Sequence, residues 1–153
     1  MPNRAFHDFT SVGAGAVMAC AMAGEQPNGR MVLEVAGGAF GGFVGGRLPD
    51  KIDPPTSPNH RHVGHGVLTV GGTGAILWNL MVDCQEALRA KADELATERE
   101  NMEDGFWKLL NQLFEWLCRF LAGAMPGVVG GYGMHLLMDA TTARGLPLAA
   151  RGF

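Results

Sequence analysis

Six glycines set in two interleaved rows constrain the fold of this chain more than any other feature. Within residues 31–47, MVLEVAGGAFGGFVGGR, one row is Gly37, Gly41 and Gly45, and the other is Gly38, Gly42 and Gly46. A spacing of four lays each row along one face of a helix. A face without side chains lets a neighbouring helix come very close, and that contact offsets the roughly 1 kcal/mol per glycine lost in helix propensity. The competing reading, a phosphate-binding loop, lacks the Gly-Lys-Ser/Thr ending such a loop needs. VGGTG at 70–74 also has no Walker lysine, and nucleotide binding is discounted there.

Glycine is abundant throughout, 23 of 153 residues, without the Ser, Gln or Pro excess of a disordered chain and with 47% hydrophobic content. Close helix packing explains this better than disorder does. The length implies a single domain, residues 1–153. Three cysteines, Cys20, Cys84 and Cys118, are widely spaced and odd in number. They argue against a disulfide framework and read as small hydrophobes in a reducing compartment. Phe6, His7 and Asp8 interrupt any signal-peptide pattern, so no secretory signal is expected and the location reads as cytoplasmic or inner-membrane-associated.

Further helices follow from composition. Residues 10–24, TSVGAGAVMACAMAG, read as a buried helix with His7 near its N-terminal end. Residues 62–82 and 120–138 contain no Asp, Glu, Lys or Arg, and each either spans a bilayer or packs as a core helix. Between Asp83 and Lys108 lie eight acidic and four basic residues, and the stretch has strong helix formers as far as Asp104. Leu88, Leu95 and Met102 recur every seven residues, but Lys91 and Ala92 flank the intervening position, which favours a solvated helical arm over a coiled coil. Residues 106–121 place Phe106, Leu109, Leu110, Leu113, Phe114, Leu117 and Leu121 at amphipathic spacing beside Trp107 and Trp116. That helix suits a bilayer interface, an oligomer contact or an ordinary core. No basic stripe with interleaved aromatics supports nucleic-acid binding.

The chemistry concentrates in residues 48–66, LPDKIDPPTSPNHRHVGHG. Asp50, Asp53, His60, His62 and His65 fall within sixteen residues, although the chain has only five histidines. Pro49, Pro54, Pro55 and Pro58 break helical continuity, so a proline-rich loop is expected to bring these groups round to one point. Imidazole with carboxylate suits zinc and similar divalent ions. Near the C-terminus His135 and Asp139 are four apart, on one side of a helix, with Thr141 and Thr142 placed to hydrogen-bond a ligand shell.

In that order, LPDKID, NHRHVGHG and GYGMHLLMDATTARGLPL resemble the YdjM-type membrane-associated metal-dependent hydrolases, over most of the chain except the acidic arm. The family pattern has an N-terminal histidine, an LPD-type loop, an HRxxxHS-like motif and a late HLxxD followed by GxPL. Gly66 departs from it, standing where serine is frequent. The resemblance implies an all-α bundle of five to six helices, distantly like the zinc-dependent phospholipases C, with a proline-rich metal-binding loop and residues 83–120 as a protruding, inserted charged arm. It implies His7, Asp50, His60, His65, His135 and Asp139 as ligands of one or more divalent ions, Zn2+ first, with Mn2+ or Mg2+ as alternatives. Asp53, or Asp50 if it is not a ligand, is the expected general base, and Arg61 either contacts the phosphate or orients a carboxylate ligand as an ion pair. The implied substrate is a small-molecule or lipid phosphoester cleaved by metal-activated water. The alternative is a non-catalytic membrane or assembly protein in which the metal is structural. Glycine strips and aromatic faces also suggest a homo-oligomer.

Overall fold

In a computed structural model of the protein, which describes residues 4–52 and 67–141, every regular element is helical. α1 spans Arg4–Ala23, α2 Asn28–Gly45, α3 Leu48–Ile52, α4 Val67–Glu100 and α5 Phe106–Ala140. The all-α expectation holds among the described residues. The expected five to six helices are instead four long ones and the five-residue α3. Two mergers explain the difference. No Gly or Pro separates the apolar stretch ending at Val82 from the acidic one beginning at Asp83, so both form the 34-residue α4. The 35-residue α5 joins the amphipathic residues 106–121 to the uncharged residues 120–138 and continues through Pro126.

Pro126 is tolerated because its loss is made good from outside the helix. Proline has no amide hydrogen to donate to the carbonyl four residues back, which here belongs to Ala122. Gln85 of α4, itself buried, donates its Nε2 to that oxygen at 3.1 Å. A buried carbonyl that helix geometry would leave open is thus satisfied by a neighbouring side chain. Pro49, by contrast, sits at the second residue of α3, where a missing amide hydrogen breaks no helical bond. The chain therefore stays helical through Ile52 rather than leaving at Pro49. The rest of the proline-rich loop lies outside the described residues.

Each glycine row has its own partner. A Cβ at Gly37, Gly41 or Gly45 would fall on the carbonyl oxygens of Phe120, Ala124 and Val128 in α5. A Cβ at Gly38, Gly42 or Gly46 would strike Ala19, Gly15 and Ser11 of α1. α5 answers with its own row, Gly123, Gly127 and Gly131, set against the backbone of Glu34, Gly38 and Gly42. The three helices α1, α2 and α5 consequently pack in mutual contact, while the close backbone neighbour of α4 among the described residues is α5.

The interior of this bundle is small or polar and its exterior is large and apolar. Buried hydrophobic side chains among the described residues are Ala19, Ala23, Met81, Ala92, Ala122 and Ala124. Buried with them are Ser11, Glu34, Gln85, Asn111, Glu115, Arg119, His135 and Asp139. Phe9, Val17, Val32 and Leu137 are 61–77% exposed. In water the hydrophobic effect drives the opposite arrangement. Small-residue contacts, interior polar groups and an apolar outer surface are what a bundle needs when its solvent is lipid.

The acidic stretch does not behave as a solvated arm along its whole surface. Arg89 of α4 pairs through both guanidinium edges with Glu34 of α2, at 3.1 and 2.6 Å, and donates to the Met22 carbonyl at 2.8 Å. Arg119 of α5 bridges Glu115 at 3.0 Å and Asp93 of α4 at 2.8 Å; Arg99 also pairs with Glu115, and Arg30 reaches Asp93 at 3.1 Å. Ala92, at the position where a heptad seam looked weak, is fully buried. Lys108, in the first turn of α5, bonds Asp104 of the connector from α4 at 2.8 Å and holds its carboxyl below the ordinary range, at the surface of the molecule.

Candidate functional site

α1, α3 and α5 bring four of the expected ligands together. His7 lies in the first turn of α1, Asp50 in α3, and His135 and Asp139 one turn apart near the C-terminal end of α5. The His135 Nε2 is 3.6 Å from Asp50 Oδ1 and 3.7 Å from Asp139 Oδ2. The His7 and His135 rings lie 4.8 Å apart between centroids, tilted by 43°. Four side chains spread over 133 residues of sequence, His7 to Asp139, thus meet at one end of the bundle. Among the described residues no group of three or more His, Cys, Asp or Glu closes tightly enough to form a finished metal cage. Asp53, His60, Arg61 and His65 lie outside the described residues.

Helix packing aims these groups. Gly42 and Gly46 let α1 approach α2 at Ser11, one turn beyond His7, so both α1 residues are carried into the bundle. Arg47, just after α2, grips Asp8 from two sides, Nε to Oδ1 at 2.9 Å and Nη2 to Oδ2 at 2.6 Å. The same guanidinium lies 3.8 Å over the Phe43 ring. This clamp fixes the start of α1 on the end of α2 and sets the direction of the neighbouring His7. Sequence reasoning missed it, because the order Arg47, Asp8 carries no pattern until the glycine rows specify which ends meet.

At this end His7 Nδ1 and Ser11 Oγ are buried without a hydrogen-bond partner among the described residues. They are four residues apart on the same face of α1. Such orphans are uncommon in folded proteins and call for a water, an ion or a ligand. Thr141 does not join the cluster. Its hydroxyl donates to the Met138 carbonyl at 2.7 Å, at the C-terminal end of α5.

A second polar layer, built on Glu34, Arg89, Asp93, Glu115 and Arg119, lies toward the other end of α5. Arg119 and His135 are sixteen residues apart, about 24 Å along the axis at ~1.5 Å per residue. Residues 120–134 between them carry no charge, nor do residues 9–24 of the α1 segment or 35–46 of the α2 segment. Two charged layers therefore bracket an uncharged slab approaching the thickness of a hydrocarbon core, ~30 Å. Among the described residues, α5 is the one helix whose length and composition suit a membrane crossing.

Comparison with known proteins agrees with this organisation. No curated protein and no solved structure matches the chain, and the expected distant likeness to zinc-dependent phospholipases C is not shown. A family model does match, over residues 7–150, a span that runs from the first histidine of the cluster past its last aspartate. With nearly the whole chain covered, and with an apolar exterior around a small and polar interior, the protein belongs to the YdjM inner membrane protein family.

Proposed function

We propose that the cluster of His7, Asp50, His135 and Asp139 is the described half of a divalent-metal centre, zinc by preference, that hydrolyses a phosphoester at the membrane. The observation that carries this reading is the setting of His135, whose Nε2 stands 3.6 and 3.7 Å from two carboxylate oxygens of different helices. Those separations exceed the 2.7–3.2 Å of a hydrogen bond. They are close to the ~3.4 Å that tetrahedral geometry places between two donor atoms bound at ~2.0–2.1 Å to one ion. The unpartnered, buried His7 Nδ1 adds a donor without another task.

In this reading His7, Asp50, His135 and Asp139 hold the ion together with His60 and His65 of the loop. Such an ion, when bound, would supply a water of lowered pKa and polarise a phosphoryl oxygen. Asp53 would be the general base that accepts a proton. Arg61, between His60 and His65 in the sequence, would neutralise the phosphate through its planar fork of donors. The Asp8–Arg47 clamp keeps His7 oriented through the reaction. The substrate class is a lipid or small-molecule phosphoester, and the active form is a homo-oligomer in the inner membrane.

The test is metal analysis of the protein purified in mild detergent, followed by phosphodiester and phosphomonoester hydrolysis with and without chelator. At least one equivalent of bound metal and chelator-sensitive turnover are expected. His135→Ala and Asp139→Ala variants that keep their helical content should each lose metal and at least 100-fold in rate, in line with loss of metal-activated water. Protein that binds metal yet turns over no ester would favour the structural role, and protein that binds none would overturn the centre altogether.

A further inference from the structure

We propose that the outer face of the first third of α5 lies in the headgroup region of the bilayer, at the end of the molecule opposite the His/Asp cluster, and anchors the α4–α5 hairpin there with α4 turned to water. The face consists of Phe106, Trp107, Leu109, Leu113, Phe114, Trp116 and Leu117, all 45–69% exposed. A monomer in water rarely leaves so many large apolar side chains side by side.

The opposite face of the same helical stretch is polar and buried. Asn111, Glu115 and Arg119 follow one another at four-residue spacing and engage Glu98, Arg99 and Asp93 of α4. α4 in turn exposes Glu86, Lys91, Asp93, Glu94, Glu98 and Glu100. The hairpin is therefore two-sided, apolar along α5 and charged along α4, with its polar seam closed inside.

Three observations identify lipid as the medium on the apolar side. The face belongs to the helix whose length and composition suit a membrane crossing, and further along that helix Val129 and Leu137 are also exposed. Its aromatic side chains include Trp107 and Trp116, and tryptophan favours the headgroup level, where its ring is half in apolar surroundings and its N–H stays wet. Length makes the third argument. The 35 residues of α5 extend about 52 Å, more than the ~30 Å hydrocarbon core, so a crossing by its later part leaves the first third outside the core, and a tilt of the helix keeps that third at headgroup depth.

The experiment uses the full chain in nanodiscs of phosphatidylethanolamine and phosphatidylglycerol, with Trp107 left as the sole tryptophan by Trp78→Phe and Trp116→Phe. A second variant, Trp78→Phe with Trp107→Phe, keeps Trp116 as an independent reporter should the first fail to fold. Lipids brominated near the headgroup should quench the fluorescence at least twofold more than lipids brominated near the chain ends, and aqueous iodide should quench weakly. Strong iodide quenching without bromolipid quenching would overturn the anchor in favour of a water-exposed face. Protection from both quenchers, with disulfide-linked dimers forming from a Trp107→Cys variant, would overturn it in favour of a second copy of the chain.

Discussion

At the scale of the single residue, glycine does two different jobs in this chain, and substitution separates them by sign. A Cβ at Gly41 would fall on the Ala124 carbonyl, a backbone atom that cannot swing aside. Gly13 lies in α1 with nothing within 4 Å of where a Cβ would be. Gly41→Ala is therefore expected to destabilise the protein by about 1–3 kcal/mol, the usual cost of overpacking. Gly13→Ala should be neutral or stabilise it by up to ~1 kcal/mol, the helix-propensity difference. Thermal unfolding in mild detergent gives both numbers, and a Gly41→Ala protein as stable as Gly13→Ala would contradict the close α2–α5 approach. This pair also marks how far the sequence reaches. The four-residue spacing identified rows of glycine on a helix, but which row meets α1 and which meets α5 depended on three-dimensional neighbours. His135 and Asp139 were legible as an i, i+4 pair, whereas the partnership of His135 with Asp50 and His7 was reached only through the family resemblance. Nothing local in the sequence links residues that far apart.

At the scale of the helix, Pro126 and Gln85 form a unit whose members look unrelated in sequence. The proline lies within an uncharged apolar segment and the glutamine at the start of the acidic stretch, 41 residues earlier. Their connection is the Ala122 carbonyl, which Pro126 cannot serve and to which Gln85 donates at 3.1 Å. Gln85→Leu leaves that oxygen without its donor and should cost about 1–3 kcal/mol, the penalty for an unsatisfied buried acceptor. Pro126→Ala restores an amide hydrogen at the right position, so the Gln85→Leu/Pro126→Ala double variant should recover most of the loss. A double-mutant cycle by thermal unfolding measures this coupling, and strictly additive effects would show that the two residues act independently. The same logic explains why the inner contacts of the charged segment were not legible in the sequence. Arg89, Asp93 and Arg99 have the composition of a solvated helix, yet their partners Glu34, Glu115 and Arg119 come from two other helices, and Ala92 between them is small enough to seat α4 on α5.

At the scale of the whole molecule, the arrangement of small and polar residues inside and large apolar ones outside makes a demand on the surrounding medium. A soluble bundle with this surface would present Phe9, Val17, Val32, Phe40 and Leu137 to water. In a bilayer those positions face acyl chains, while the exposed carboxylates of α4 stay hydrated. Cysteine labelling distinguishes the two cases, because maleimide reacts with the thiolate and a thiol surrounded by hydrocarbon does not ionise. In a background with Cys20, Cys84 and Cys118 replaced by alanine, Val17→Cys stands near the middle of the uncharged residues 9–24, and Glu86→Cys stands on the outer face of α4. Both positions are exposed in the isolated fold, so geometric access alone predicts equal labelling. In proteoliposomes a membrane-impermeant maleimide applied from the α4 side should modify Glu86→Cys at least 100-fold faster than Val17→Cys. Comparable rates at the two positions would mean that the bundle's outer surface meets water, and that the two charged layers do not mark the edges of a membrane slab.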